Sequence, residues 1–332
     1  MTDPVLEVRD LVVEYGVDPA VRAVDRVSFD VGRGEIFGVL GESGSGKTTL
    51  MTAITRLQRP PARIAGGTVT YRPVSGDPRE LVGCTPKQLR ELRWERLAVV
   101  FQSAMSSLNP VMRVGTQFAD AIRAHRPTKR SEAWERAAEL LELVGIPRDR
   151  VRSYPHELSG GMRQRAAIAL SLACEPDLVV MDEPTTAVDV VMQRQILDNV
   201  QELQATFGFS VLFVTHDLSL LVELADRIMV MYAGRAVEIA SAKDIYHAPK
   251  HPYTQGLRDS FPSLHGPRHE LRGIGGAPPD LRRLPAGCAF EPRCPQRVDD
   301  CREILPVLIE RDSTQAACLL LDRQEAGHAG SR

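Results

Sequence analysis

A glycine-rich loop at residues 41–49 constrains the fold of this chain more than any other segment. It reads Gly-Glu-Ser-Gly-Ser-Gly-Lys-Thr-Thr and satisfies the pattern G-x-x-x-x-G-K-S/T. Residues 35–40 form an apolar run suited to a buried parallel strand, and residues 50–54 are apolar enough to open a helix. In a strand–loop–helix unit, backbone N–H groups and the positive end of the helix dipole converge on a phosphate chain. The loop therefore predicts a binding site for a nucleoside triphosphate.

Side chains of this loop are expected to hold both the triphosphate and its metal ion. Lys47 would direct a positive charge toward the β- and γ-phosphates, and the Thr48 hydroxyl would ligate Mg²⁺. Tyr15, in a predicted strand, could stack on the base, although a lone tyrosine is more often ordinary strand surface. The predicted nucleotide-binding residues of this part of the chain are Tyr15, Gly41, Ser43, Gly44, Ser45, Gly46, Lys47, Thr48 and Thr49.

Charge and hydropathy exclude several classes of protein. The 332 residues carry 41 Lys and Arg against 43 Asp and Glu, a formal net charge of −2, whereas a nucleic-acid binder usually has a basic excess. No apolar run approaches the roughly 18 residues that a membrane span needs. The N-terminus has neither the basic nor the apolar region of a signal peptide. We therefore expect a cytosolic chain that could still sit on a membrane protein.

Strand-like and helix-like segments alternate along most of the chain. Strand-like segments include residues 5–8, 11–15, 97–101, 177–183 and 210–215, and helix-like segments separate the later ones. This alternation predicts an α/β fold with a mostly parallel sheet and helices on both faces.

Two changes of pattern suggest a division into domains. The residues from 103 to about 165 are mostly helical in pattern, and Trp134, Ala137, Leu141 and Val144 form an apolar stripe that indicates core packing. Beyond about residue 250, proline, arginine and glycine become frequent and the periodicity fades. We therefore predict one domain over residues 1–250 and a small, loop-rich domain over residues 251–332.

Polar side chains follow three of the predicted strands. Asp182 would ligate Mg²⁺ or organise its surroundings, and Glu183 would polarise an attacking water molecule. His216 could hold that water in line with the γ-phosphate, and Gln102 could reach the metal or the water. We expect these side chains near the bound nucleotide because ligands bind at the carboxyl edge of α/β sheets.

A second glycine pair suggests that this chain acts together with a second nucleotide-binding chain, either the same or a homologous one. Ser159, Gly160 and Gly161 precede an alanine-rich helix, so their N–H groups and the helix dipole suit another γ-phosphate. The chain has one lysine-bearing loop, and the second surface must then serve a nucleotide held by another molecule. This implies a head-to-tail dimer that closes on two ATP molecules.

Taken in order, these motifs resemble those of the ATP-binding subunits of ABC transporters, over residues 1–250. The resemblance assigns Walker A to residues 41–49, the Q-loop to Gln102, the signature to residues 158–162, Walker B to Asp182 and Glu183, the D-loop to Asp189 and the switch to His216. It also matches Tyr15 to the aromatic residue that stacks on adenine. It implies a P-loop cassette with a RecA-like core, an antiparallel β subdomain and a helical subdomain at about 103–165.

The sequence departs from the usual family pattern at two places. Met162 stands where the commonest residue is Gln, and the D-loop reads Ala187-Val188-Asp189 without a Leu. Neither position contacts phosphate in the family, so we expect an active ATPase.

A narrower resemblance, to the peptide-permease branch, rests on three segments. They are Ser107-Leu-Asn-Pro110, His251-Pro-Tyr-Thr254 and Gly287-Cys-Ala-Phe-Glu-Pro-Arg-Cys-Pro295. The branch imports dipeptides, oligopeptides or nickel. The resemblance implies an ATPase at the cytoplasmic face of the inner membrane, with two transmembrane permease subunits, a second ATP-binding subunit and, indirectly, an extracytoplasmic solute-binding protein.

Two other classes of nucleotide-binding protein fit less well. A soluble ABC protein that acts on ribosomes or DNA normally has tandem cassettes or a long coiled-coil insertion, and this chain has one cassette and no heptad run. A G protein would carry a base-reading Asn-Lys-x-Asp motif, which is absent from the sequence. We therefore expect no nucleic-acid partner.

Four of the six cysteines lie close together near the C-terminus. Cys288, Cys294, Cys301 and Cys318 are spaced C-x5-C-x6-C-x16-C, whereas structural zinc usually takes closer pairs. Four thiolates could hold a [4Fe-4S] cluster, whose ligand spacings vary more widely, and the peptide-permease resemblance points the same way. The alternatives are four unliganded thiols or a zinc site.

Overall fold

A computed structural model describes residues 3–17, 19–102, 107–186, 188–260 and 273–321. The first D-loop residue, Ala187, and the first residues of the predicted helical segment, 103–106, lie outside the described residues. So do residues 261–272 and 322–332 of the predicted C-terminal domain. None of the helices in the described ranges has the length and apolar character that a membrane span requires.

The secondary structure alternates as the sequence predicts. The strands are β1 (Leu6–Tyr15), β2 (Val21–Val31), β3 (Ile36–Leu40), β4 (Ala62–Tyr71), β5 (Arg79–Glu80), β6 (Leu97–Val100), β7 (Leu178–Asp182), β8 (Ser210–Thr215), β9 (Arg227–Tyr232), β10 (Arg235–Ser241), β11 (Ile309–Arg311) and β12 (Thr314–Ala316). The α-helices are α1 (Lys47–Ile54), α2 (Pro86–Leu92), α3 (Val114–His125), α4 (Arg130–Leu143), α5 (Gly160–Ser171), α6 (Val190–Phe207), α7 (Leu218–Leu224), α8 (Ala242–His247) and α9 (Pro252–Asp259).

The chain divides into two compact units, each assembled from separate stretches of sequence. The first unit comprises Met1–Glu7, Asp30–Ile36 and Val69–Val214. The second unit comprises Val8–Phe29, Phe37–Thr68 and Thr215–Arg332.

The first unit is built around three parallel strands in the order β8-β7-β6. Every residue of β7 is buried, which is typical of parallel strands covered by helices on both faces. Asp182 ends β7 in register with Val214 of β8. The run of four apolar residues before Asp182 therefore brings this carboxylate to the carboxyl edge of the strands.

The predicted helical segment contributes helices α3 and α4 to the first unit. Ala137, Leu141 and Val144 of the predicted apolar stripe are fully buried core residues, and Trp134 is half-buried. Two short 3-10 helices, Arg148–Arg152 and Pro155–Glu157, lead from α4 toward α5.

The second unit combines one parallel and several antiparallel strand pairs. Strand β3 pairs in parallel with β9, and β9, β10, β12 and β11 follow as antiparallel neighbours. The last two strands belong to the residues after 250, whose described parts also contain helix α9 and the 3-10 helices Glu291–Arg293 and Asp299–Arg302. This C-terminal part is therefore joined to the sheet of its unit by backbone hydrogen bonds.

Candidate nucleotide-binding and hydrolysis residues

The glycine-rich loop connects β3 to α1 in the second unit and depends on glycine at Gly46. The backbone of Gly46 has a φ of 102°, a conformation that other residues rarely adopt. A Cβ atom there would lie under 3.0 Å from the carbonyl oxygen of Ala23. The loop therefore turns into the helix with its backbone packed against a neighbouring strand.

Lys47, the first residue of α1, is folded back onto the loop that precedes it. The residue is 6% exposed, and Nζ donates hydrogen bonds to the carbonyl oxygens of Gly41, at 2.7 Å, and Glu42, at 2.9 Å. These bonds fix the ammonium group at the mouth of the strand–loop–helix turn. The hydroxyl of Ser45 is buried and has no hydrogen-bond partner among the described residues.

The predicted base-stacking residue lies beside the same helix. The hydroxyl groups of Tyr15 and Thr49 are 3.2 Å apart, and Tyr15 is 36% exposed. The structure thus brings together Tyr15 and the helix that begins with Lys47. Ser43, Gly44 and Thr48 are exposed around the loop. Their contacts with a nucleotide stay predictions.

Glu183 lies at a turn of the first unit that two side chains stabilise. Gln102 Nε2 donates a hydrogen bond to Glu183 Oε2 at 2.9 Å, and Thr186 Oγ1 donates to the same oxygen at 3.0 Å. The backbone of Glu183 has a φ of 44°, a strained conformation that is often found at functional sites. The structure therefore brings Gln102 and Glu183 together, and it adds Thr186, which the sequence motifs do not single out.

The signature segment begins helix α5 of the same unit. Ser159 caps this helix by accepting a hydrogen bond from the N–H of Met162 at 3.2 Å, and Gly160 is its first residue. A Cβ atom on Gly161 would lie under 3.0 Å from the side chain of Met192 in α6. The side chain of Met192 would therefore have to shift to admit a larger residue at position 161. The predicted contact of these three residues with a partner's phosphate stays a prediction.

A second residue missed by the sequence motifs, Gln164, connects α5 to the turn at Glu183. Its side chain is buried, and Nε2 donates a hydrogen bond to the carbonyl oxygen of Pro184. The predicted D-loop residue Asp189 is exposed and caps α6 by accepting from the N–H of Met192 at 2.9 Å. The start of the signature helix and the residue that follows Glu183 are therefore linked directly.

His216 and Asp182, one of the predicted Mg²⁺ ligands, lie at the ends of strands. His216 is an exposed residue that immediately follows β8, and Asp182 is the buried last residue of β7. The roles of His216, Thr48, Gln102 and Asp182 toward the γ-phosphate or Mg²⁺ stay predictions.

The four C-terminal cysteines line one small cavity in the second unit. Cys288, Cys294, Cys301 and Cys318 all contribute to its wall, and its volume is about 10 Å³. Burial raises the pKa of the Cys288 and Cys294 thiols and raises that of Cys318 to about 11. In the described parts of the chain, no three His, Cys, Asp or Glu side chains are arranged to chelate a single metal ion. The spacing thus predicts the grouping of the cysteines, and their metal stays a prediction.

Two family models match the chain. The model described as ABC transporter matches residues 24–186, and the model described as Oligopeptide/dipeptide transporter, C-terminal region matches residues 237–301. Solved structures similar to the fold include the ATP-binding cassette MJ0796 in a dimeric post-hydrolysis state bound to ADP and Pi. It is 24% identical, covers 71% of this chain and 98% of its own, and has a TM-score of 0.63. The cbiO1 protein from Clostridium perfringens, also 24% identical, covers 77% and 96% with a TM-score of 0.63.

Curated relatives match nearly the whole chain. The Probable peptide ABC transporter ATP-binding protein y4tR of Sinorhizobium fredii is 45% identical, over 95% of this chain and 94% of the relative. The Dipeptide transport ATP-binding protein DppD of Bacillus subtilis is 41% identical, over 98% and 97%. The Oligopeptide transport ATP-binding protein OppD of Salmonella typhimurium is 41% identical, over 91% and 89%. The chain therefore belongs to the family of ABC transporter ATP-binding proteins, in its oligopeptide and dipeptide transporter branch.

Proposed function

We propose that this chain is the ATP-hydrolysing subunit of an importer that moves dipeptides, oligopeptides or a related small solute through separate transmembrane permease subunits. The observation that carries the proposal is its similarity, over nearly its whole length, to relatives that are named for peptide transport. The match to the C-terminal model of oligopeptide and dipeptide transporters supports the same substrate class. A soluble ATPase that acts on ribosomes or nucleic acid has no comparable support.

In this proposal the loop at residues 41–49 holds the phosphates of ATP and Tyr15 stacks on its base. Lys47 and the N–H groups at the start of α1 neutralise the phosphate charge. The buried, unpartnered hydroxyl of Ser45 supports this assignment, because an unpaired buried hydroxyl costs about 1–3 kcal/mol. A phosphate oxygen would give this hydroxyl an acceptor.

For hydrolysis, we assign the general base to Glu183, whose carboxylate would take a proton from the attacking water. The hydrogen bonds from Gln102 and Thr186 to its Oε2 orient the carboxylate. His216 would hold the water in line with the γ-phosphate. Thr48, Asp182 and the amide oxygen of Gln102 would hold Mg²⁺, which neutralises charge on the β- and γ-phosphates when bound.

We further propose that two cassettes form a head-to-tail dimer at the cytoplasmic face of the inner membrane. Ser159, Gly160 and Gly161 of one subunit would face the γ-phosphate held by the other, with Asp189 nearby. The position of Ser159 and Asp189 at exposed helix N-termini supports this assignment, since such termini favour anions. Two permease subunits, and an extracytoplasmic solute-binding protein acting through them, would complete the importer. We also propose that the nucleotide-binding domain ends near residue 250 and that residues 251–332 form a small C-terminal domain.

The transport activity can be tested in proteoliposomes that contain this chain and its permease subunits. We expect ATP-dependent uptake of labelled dipeptides or oligopeptides in the presence of the solute-binding protein. The matched control is the same assembly with Lys47→Ala, which removes the loop's positive charge and should abolish uptake. ATP-dependent uptake of another solute, with no peptide uptake, would overturn the assigned substrate class.

We also propose that the four C-terminal cysteines hold a [4Fe-4S] cluster. Their shared cavity supports this proposal, and the spacing of the four cysteines is wider than that of the usual structural zinc sites. Burial favours the neutral thiols, and a bound cationic cluster would reverse that preference by stabilising the thiolates. The cavity would have to widen to admit the cluster.

Anaerobic purification tests the cluster directly. We expect broad visible absorption with matched iron and acid-labile sulfide, and loss of both in Cys294→Ser. Cys84→Ser is the matched control, because Cys84 lies outside the group of four cysteines. A colourless protein without iron that still hydrolyses ATP would exclude the cluster and leave the ATPase assignment intact.

A further inference from the structure

Arg293, in the C-terminal segment that follows residue 250, forms an ion pair with Glu42 of the glycine-rich loop. Arg293 Nη1 and Nη2 donate hydrogen bonds to Glu42 Oε2, at 2.7 Å, and to Glu42 Oε1, at 3.0 Å. The Arg293 side chain is 6% exposed and that of Glu42 is 26% exposed. Paired, nearly parallel bonds of this kind between a guanidinium and a carboxylate are geometrically specific.

Other contacts hold the arginine rigidly in this position. Its Nε donates to the carbonyl oxygen of Gly275 at 2.9 Å, and Nη1 is 3.3 Å from the hydroxyl of Tyr232. The guanidinium also lies over the Tyr232 ring, 5.8 Å from its centre. The hydrogen bonds to Glu42 have the largest effect on the Arg293 guanidinium, and they raise its pKa. The Arg293–Glu42 pair is therefore supported by several other contacts of the arginine.

A second C-terminal residue binds the backbone of the same glutamate. The N–H of Glu42 donates to the hydroxyl of Tyr253 in α9 at 3.0 Å. The Tyr253 ring packs 4.6 Å from the ring of Tyr232 and 5.4 Å from that of Phe290. Tyr253 belongs to the His-Pro-Tyr-Thr segment, to which the proposed function assigns no role.

Glu42 thus connects the C-terminal segment to the lysine of the loop. Its side chain is held by Arg293, its N–H by Tyr253, and its carbonyl oxygen accepts the hydrogen bond from Lys47 Nζ at 2.9 Å. Because these three groups belong to one residue, the contacts of Arg293 and Tyr253 restrain the piece of chain whose carbonyl oxygen accepts from the Lys47 ammonium group.

We propose that Arg293 is a positioning residue for ATP, which sets nucleotide affinity by holding Glu42 and, through it, Lys47. The inference rests on the proposed function of the loop as an ATP site. It gives the C-terminal segment a part in ATP binding, although none of its residues belongs to an ATP-binding motif. Arg293 itself touches neither the phosphates nor the reacting atoms.

The test compares variants of the purified full chain. Arg293→Met removes both hydrogen bonds to Glu42. Arg293→Lys keeps the positive charge but cannot donate two parallel hydrogen bonds. Glu42→Gln weakens the same pair by removing the negative charge of the carboxylate. Arg297→Met is the matched control, since Arg297 lies in the same segment, is 54% exposed and pairs with Glu291. For each variant we would measure the Kd of a fluorescent ATP analogue, the KM and kcat for ATP, and the Tm.

We expect Arg293→Met to raise both Kd and KM by about five- to twentyfold, with kcat lowered less than about twofold. Arg293→Lys should lie between this variant and the wild type. Addition of Glu42→Gln to Arg293→Met should change the Kd by less than about twofold, because both substitutions remove one contact. The control should bind like the wild type.

Other results would overturn the inference. A lower Tm for Arg293→Met at unchanged Kd would show that the arginine only anchors the C-terminal segment. Fully additive effects of the two substitutions would show that Arg293 does not act through Glu42. If the wild type bound the analogue but did not hydrolyse ATP, the assigned enzymatic function would fail, and the Kd values would still decide the role of Arg293.

Discussion

The phosphate-binding loop and the turn at Glu183 are stabilised by different kinds of contact. In the loop, glycine backbones pack against a neighbouring strand, and Lys47 is bound by two backbone carbonyl oxygens. At the turn, two side chains, those of Gln102 and Thr186, bind the carboxylate. Backbone contacts tolerate many side-chain changes but no added Cβ atom at a close approach, whereas side-chain bonds are lost one by one. We therefore expect substitutions in the loop to act on binding and substitutions at the turn to act on turnover.

The largest effect on ATP hydrolysis should come from removal of the Glu183 carboxylate. Glu183→Gln keeps the shape of the side chain but removes the group that would accept a proton. We expect ATP hydrolysis to slow by about 10²–10⁴-fold while ATP binding is retained. Single-turnover hydrolysis and equilibrium binding of the fluorescent analogue would measure the two separately. Undiminished turnover would remove Glu183 from the role of base.

Substitution of Gly46 should mainly weaken ATP binding, in contrast to Glu183→Gln, which should mainly slow hydrolysis. Gly46→Ala would combine an unfavourable φ with a contact on Ala23, and we expect the affinity for ATP to fall by about a hundredfold or more. Gly44→Ala is the matched control, because Gly44 also has a positive φ, of 80°, but no heavy atom lies within 4 Å of an added Cβ. Equal losses of affinity in the two variants would show that packing against Ala23 is unimportant.

A smaller effect on turnover should follow from loss of one bond at the turn. Thr186→Val removes the hydroxyl that donates to Glu183 and preserves the shape of the side chain. We expect kcat to fall by about tenfold with the affinity for ATP unchanged, since a hydrogen bond to a charged group contributes about 1.5–3 kcal/mol. Thr186→Ser retains the donor and should keep most of the activity. A change in Kd instead of kcat would contradict the division between the two regions.

The smallest effect should come from the exposed aromatic residue. Tyr15→Ala removes the ring, and we expect the affinity for ATP to fall by about fivefold, at the weak end of base–aromatic stacking. Tyr15→Phe keeps the ring and removes the hydroxyl that lies beside Thr49. If stacking is the role of Tyr15, this variant should bind the fluorescent ATP analogue like the wild type. A matching loss in both variants would assign the effect to the hydroxyl.

Features that depend on a short run of neighbouring residues could be predicted from the sequence. The strand before the loop, the helix after it and the carboxylates after β7 each follow from a short run of residues. Strand β1 was predicted in two pieces, 5–8 and 11–15, because the apolar alternation slips at Arg9 and Asp10. The structure has one continuous strand in which Asp10 has a φ of 45°, so the slip marks a local irregularity and not an end.

The start of helix α2 also has a local signal. Thr85 and Gln88 form a capping box, with Pro86 at the first helical position. That combination is a sequence-level sign of a helix start.

The remaining contacts have no local signal. Thr186 and Gln164 are single polar residues whose importance depends on partners that the fold brings to them. The pairing of Glu42 with Arg293 joins residues 251 positions apart in the chain, and neither residue lies in a pattern that predicts the other. Such contacts become visible only when the backbone path is known.

The two short strands after residue 250 would be lost if the protein were truncated after its nucleotide-binding domain. Strand β12 pairs with β10, and β11 pairs with β12, so removal of these residues would leave one side of β10 without its backbone partners. The exposed row of N–H and C=O groups, flanked by Val237 and Ile239, would be a template for pairing with another chain. By contrast, β11 has only three residues and carries Glu310 and Arg311, features that discourage such pairing. The C-terminal strands thus cover an edge of the sheet that would otherwise favour aggregation. A cassette that ended at residue 250 would expose this edge.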